Sequence, residues 1–242
     1  MNKLLGPIPA LLVVAFAPLA QADIQISYTI DGGSTVTCGP VLGPGAIVAC
    51  PNAVLPMSLV NLGASSNSPG TAPNGNELSS TTDLNNTTAV DHTIVINIAS
   101  DGFTAPVTPP DITFFSHIGG TVVIGEASNK LSYQSCIGGN NLTTSCPVGT
   151  SDLNSGISAP NIVPSGSFSN DQTGLITSLT GPFSINEQLT VTLDPGAQIN
   201  FAASTLLTPV PVPEPVSIAL LGIVLFFTVG SIRRKRNQAS QV

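Results

Sequence analysis

The chain has very few cations. Between residues 23 and 212 the 242-residue sequence holds one lysine, Lys130, and no arginine; the remaining basic residues are Lys3, Arg233, Arg234, Lys235 and Arg236. Of the thirteen acidic residues only Glu214 lies outside that stretch, so the body carries 1 − 12 = −11 formal charges. Such a surface repels phosphate backbones and excludes a nucleic-acid partner. Charged residues are nevertheless only 8% of the chain and hydrophobic ones 42%, which excludes the sparse, highly charged composition of a disordered chain.

Tryptophan is absent, and tyrosine occurs only at Tyr28 and Tyr133. Sugar-binding faces commonly stack flat rings on a pyranose. A platform of that kind is disfavoured here, leaving loops of Asn, Asp and Thr as the means of holding a glycan. Tyr28 also shares the apolar phase of its segment.

Catalytic motifs are missing as well. No Gly-x-Ser-x-Gly elbow occurs, and the few acids lie mostly beside Gly, Asn or Ser, as turns require. His92 follows Asp91, but adjacent strand residues point to opposite faces, so Asp91 cannot orient it. His92 and His117 both read as structural residues near strand ends. Asp152-x-Asn154-x-Gly156 has oxygen ligands at alternate positions, yet its glycine is one place early and no glutamate follows at the twelfth position; turn chemistry explains it. The expectation is a non-enzyme with no cofactor and no metal, although a triad assembled only in three dimensions from the many serines stays open.

No 11-residue window of the body holds a helical stripe; period-2 alternation takes its place. Ile24, Ile26, Tyr28 and Ile30 alternate with polar residues, and Asp31-Gly32-Gly33 turns the chain into a returning arm over 34–38. A second hairpin is predicted from Leu189, Val191 and Leu193, the turn Asp194-Pro195-Gly196, and Ala197, Ile199, Phe201 and Ala203, with Phe183 and Ile185 in phase ahead of it. His92, Ile94, Ile96 and Ile98 share one face of a strand. Residues 112–118 form another, and 121–124 a short buried run. Segments 63–88 and 149–166 lack periodicity and read as long loops. An all-β, jelly-roll-like two-sheet sandwich follows.

Cys38 with Cys50, and Cys136 with Cys146, are the economical disulfide pairs among three possible connectivities. Each closed loop would stabilise by ~2–3 kcal/mol. The spacings are far from a zinc pattern, and no histidine sits near either pair.

Lys3, the apolar stretch 4–19 and Ala20-Gln21-Ala22 form a signal peptide with cleavage after Ala22. At the other end, 216–232 is an uncharged run at the lower limit for a transmembrane helix. Arg233, Arg234, Lys235 and Arg236 follow it and hold that end in the cytoplasm, which places the body outside. Ahead of the run, Pro209, Pro211, Pro213 and Pro215 alternate with other residues, so 208–215 is an extended, polyproline-like strip.

The order Val212-Pro213-Glu214-Pro215, apolar span, Arg-rich end resembles the PEP-CTERM sorting signal over about the last thirty residues. The resemblance implies signal peptidase and an exosortase as processing partners, with Pro213, Glu214 and Pro215 as the sorting motif. It further implies an inner-membrane precursor with a periplasmic body, later at the cell surface or extracellular, near exopolysaccharide. The organisation expected is a signal peptide over 1–22, a β-sandwich ectodomain over 23–207, a Pro-rich linker over 208–215, a transmembrane helix over 216–232 and a basic cytoplasmic tail over 233–242. The function expected is that of a structural protein of the surface or biofilm matrix. A glycan-binding module is the alternative, and an unrecognised hydrolase a third reading.

Overall fold

A computed structural model describes residues 23–211 except 44, 54–55, 69–73, 125–128, 139–153 and 159–164. The predicted signal peptide with its cleavage site at Ala22, the transmembrane helix, the sorting motif Pro213, Glu214, Pro215 and the basic cluster from Arg233 to Arg236 all lie outside the described residues. No helix among the described residues is long and apolar enough to cross a membrane.

The described chain is all strand and connection. In order it runs β1 (Asp23–Ile30), β2 (Val36–Leu42), β3 (Ile47–Ala49), β4 (Met57–Val60), β5 (Gly63–Ser66), β6 (Gly75–Asn86), β7 (His92–Phe103), β8 (Ile112–Ile124), β9 (Lys130–Gly138), β10 (Asn154–Ser158), β11 (Gly166–Ile176), β12 (Phe183–Leu193) and β13 (Gln198–Pro209). Six strands make one sheet in the order β10-β9-β12-β7-β1-β2. Seven make the other, as β11-β8-β13-β6-β5-β3 with β4 on β6. The inner faces pack on each other. Ile24, Ile26, Ile94, Ile96, Ile98, Leu189, Val191 and Leu193 of the first sheet meet Ile118, Val122, Ile199, Phe201 and Ala203 of the second in one apolar cluster.

The first hairpin forms as predicted. β1 pairs antiparallel with β2, from Tyr28 opposite Val36 to Asp23 opposite Leu42, and the turn uses positive φ at Asp31 and Gly32. Nearby, Cys38 and Cys50 are joined by a disulfide. Cys136 is also disulfide-bonded; Cys146, its expected partner, lies outside the described residues.

The second predicted hairpin is not one. β12 pairs with β7 and β9, whereas β13 pairs with β6 and β8, so Asp194-Pro195-Gly196 is a corner between the two sheets. The turn closes on itself, Ala197 N–H donating to the Asp194 carbonyl (3.0 Å), and is also tied outward: Gly196 N–H donates to the Asn86 carbonyl (2.9 Å), Asp194 N–H to Asn129 Oδ1 (2.8 Å), and Asn86 Nδ2–H to the Leu193 carbonyl (2.9 Å). Two asparagines from elsewhere in the chain thus anchor the corner. Alternation looks the same in both topologies, because either way each strand buries one face.

Two expected loops contain strands. Segment 63–88 supplies β5 and β6, and β6 lies inside its sheet between β13 and β5; segment 149–166 supplies β10 and the first residue of β11. The expected break after residue 118 is likewise absent. β8 runs through Gly119 and Gly120 to Ile124, and of the apolar run 121–124 only Val122 is buried, Val123 and Ile124 being exposed. Gly120 is needed there, since a Cβ would sit 2.2 Å from the Asn200 carbonyl and 2.6 Å from Phe168 Cζ. Phe168 covers the gap from β11.

Candidate functional site

Two features stand out, one on the outside of the seven-stranded sheet and one within the sandwich. Outside, a groove of about 540 Å³ crosses the strands, lined by Ile47 and Ala49 of β3, Ser65 of β5, His117 of β8, and Ala202 and Ser204 of β13. Small side chains on the middle strands, between Ile47 and His117, create the depression. His117 Nδ1 is hydrogen-bonded to Asp171 of β11, its cross-strand neighbour. The Phe115 and His117 rings point out the same way, nearly parallel at 6° with centroids 6.5 Å apart.

Asp171, His117 and Ser204 occupy one row of three adjacent strands. The row has the residue types of a catalytic triad but lacks its geometry. His117 Nε2 lies 3.1 Å from where a Gly119 Cβ would stand, so the ring leans along β8 rather than across to Ser204. β8 and β13, which carry His117 and Ser204, are laddered on both sides here, which leaves no backbone N–H pair between them to hold an oxyanion. His92, the other histidine, sits at the start of β7 with its Nδ1 2.5 Å from Asp31 Oδ2. Asp31, not Asp91, orients it, from the turn after β1.

The other expected site residues are placed as follows. Tyr28 and Tyr133 are both buried, so neither presents a ring to a sugar. Asn154 and Gly156 lie in β10, paired with Cys136 and Gln134, not in a calcium-binding loop; Asp152 is outside the described residues. Among the described residues no group of three or more His, Cys, Asp or Glu could hold a metal.

The feature sequence reasoning missed is inside. Glu77 on β6 and Glu187 on β12 are both fully buried, from opposite sheets. Glu187 Oε2 accepts from Ser79 Oγ–H at 2.8 Å and Oε1 from Thr205 Oγ1–H at 2.9 Å, while the Tyr133 hydroxyl is 3.3 Å from Thr205 Oγ1. Ser116 and Ser135 bridge the sheets at 2.7 Å, and Ser100 Oγ–H donates to Ser66 Oγ at 2.6 Å. Both oxygens of Glu77 are without a hydrogen-bond partner among the described residues.

These residues form a polar layer across the core. On β12 Glu187 lies between Ile185 and Leu189, on β9 Ser135 between Tyr133 and Ile137, on β8 Ser116 between Phe114 and Ile118, and on β13 Thr205 between Ala203 and Leu207. In each case one apolar neighbour belongs to the large cluster and the other to a smaller one around Phe103, Phe114 and Phe183. Burial pushes Glu77 well above the ordinary carboxylate range, and the Glu187 carboxyl adds to the effect. Glu187 is pushed up to about 7, again by burial, against the opposing pull of the Ser79, Thr205 and Tyr133 hydroxyls.

The fold and its interior thus define a two-sheet, all-β protein with a hydroxyl-lined acidic layer. No family model and no curated protein matches the chain. Among solved structures it is similar to the carbohydrate-binding module TmCBM61, solved with beta-1,4-galactotriose: 6% identity, TM-score 0.28, covering 59% of this chain and 85% of that one. It is also similar to a chain of the infectious bursal disease virus Gx strain: 11% identity, TM-score 0.31, covering 88% of this chain and 55% of that one. Overlaps this loose carry no argument about function.

Proposed function

We propose that this chain is exported, sorted and processed at its tail by an exosortase, and serves as a non-enzymatic structural protein of the cell surface or extracellular matrix. The observation that carries the reading is the order Pro213-Glu214-Pro215, apolar run 216–232, Arg233 to Arg236. The passage of β7 to β13 back and forth between two sheets supports a jelly-roll-like winding. In an exosortase-bearing host, wild-type protein should mature to a mass lacking both ends and leave the inner membrane, while Glu214→Ala keeps its tail and stays there. Equal mass and location for the two would refute the processing.

The outer groove favours a second reading, a glycan-binding face. Phe115 and His117 offer paired rings beside the Asp171 carboxylate and the Ser65 and Ser204 hydroxyls, in place of the tyrosines, which are buried. Retention of the full chain on an immobilised neutral polysaccharide, lost in Phe115→Ala, is the expected result. An unretained wild-type chain would count against it.

A further inference from the structure

We propose that the Glu77–Glu187 pair is a proton-held latch between the two sheets, closed when the carboxyls are neutral and loosened when they ionise. The geometry carries this. The two carboxyls come from opposite sheets into one buried layer, and among the described residues Glu77 has no hydrogen-bond partner for either oxygen. An ionised Glu77 there loses its hydration with nothing in return, and an ionised Glu187 regains only the Ser79 and Thr205 hydroxyl bonds. A cation could compensate, but the body's single Lys130 is exposed at the start of β9, with Thr192 as its cross-strand partner while Glu187 pairs with Ser135. A bound proton removes the charge directly.

The groups facing the pair are few. From β9 comes Tyr133, whose hydroxyl burial pushes well above its ordinary value; from β6, β8 and β13 come Ser79, Ser116 and Thr205; and from β7 come Ile98 and Ser100. His117 faces the opposite side of β8. No other acid and no base among the described residues shifts either carboxyl.

The sign follows from the raised values. A carboxyl that keeps its proton in the folded chain and loses it near 4.5 when unfolded stabilises fully below 4.5. That contribution is lost as pH rises through the folded value, about 7 for Glu187, and Glu77 is displaced in the same direction by burial and by the Glu187 carboxyl. Within the window the folded-to-unfolded ratio falls by about tenfold per pH unit for each carboxyl. Asp101, also raised by burial, contributes with the same sign, so the informative quantity is the difference between wild type and variants. The latch lies under the outer groove: Ser79 lines the groove and donates to Glu187. Opening it would loosen the groove floor.

The experiment is thermal unfolding of the full-length chain in detergent from pH 5 to pH 8, alongside Glu77→Gln and Glu187→Gln. Wild type should lose melting temperature steadily across the range, and each variant should lose less. Should a variant fail to fold, the infrared carboxylic-acid band of folded wild type gives the answer alone: it should persist at pH 6 and fade toward pH 8. A wild-type melting temperature independent of pH, a band absent at pH 6, or restoration at pH 8 by calcium ions would each overturn the latch.

Discussion

The apolar clusters and the polar layer between them are built on the same strands, yet they hold the sheets together differently. In the clusters, sheet meets sheet through side chains that need only fit, and burial is favourable at any pH. In the layer, Ser79, Thr205, Ser116 and Ser135 must meet named partners, and two acids must keep their protons. One region supplies strength. The other makes that strength conditional on pH and fixes which rung of one sheet faces which rung of the other.

The largest effect should come from emptying the small cluster. Phe183 is fully buried and stacks on Phe103 at 5.3 Å, so Phe183→Ala removes both transfer energy and packing, at a cost of about 3–5 kcal/mol. Calorimetry should show a fall in melting temperature of roughly 6–20 °C. The slope of melting temperature against pH between 5 and 8 should stay that of wild type. A changed slope would mean that the clusters and the layer are not separable.

The contrast also explains what could be read in advance. Ile94, Ile96 and Ile98, or Leu189, Val191 and Leu193, announce a buried face because apolar residues recur every second position. β5 and β6 do not, because their inward residues include Ser66, Glu77 and Ser79. A strand whose inward positions are largely polar loses the alternation that would reveal it. Thr205, Ser116 and Ser135 escaped notice inside otherwise legible strands. Their signal is small polar residues at the inward phase of several strands, which gains meaning only once the strands are aligned. The corner at Asp194 was hidden for another reason, since it depends on Asn86 and Asn129, distant in sequence. At the surface, His92 sits at the start of its strand as expected, whereas His117, expected at a strand end, lies in the middle of β8, which runs on to Ile124; their partners Asp31 and Asp171 come from the turn after β1 and from β11.

A middle-sized effect tests the layer from the hydroxyl side. Thr205→Val keeps the shape and removes a donor to Glu187 that also touches Tyr133. The expected loss is about 1–3 kcal/mol. It should be larger at pH 8 than at pH 5, because a hydroxyl donating to a carboxylate favours the ionised form. Chemical denaturation at the two pH values measures this. An equal loss at both would show that Thr205 matters only as packing.

The smallest effect sharpens the comparison by reversing its sign. Asp31 is an acid outside the core, its side chain 45% exposed, accepting from the Thr93 N–H at 2.8 Å and meeting the His92 ring. The Thr93 bond first, and the His92 side chain second, hold its carboxyl below the ordinary 3.8. Its contribution is therefore present above 3.8 and lost as pH falls through the folded value, opposite to the buried pair. Exposure and screening keep it below about 1 kcal/mol. Asp31→Asn should lower stability slightly at pH 7 and flatten the acid limb of the stability curve, leaving the decline between pH 5 and pH 8 unchanged. A shift of that upper limb would mean that the turn after β1 and the buried layer respond as one unit, because an exposed turn acid has no direct route to the Glu77–Glu187 layer.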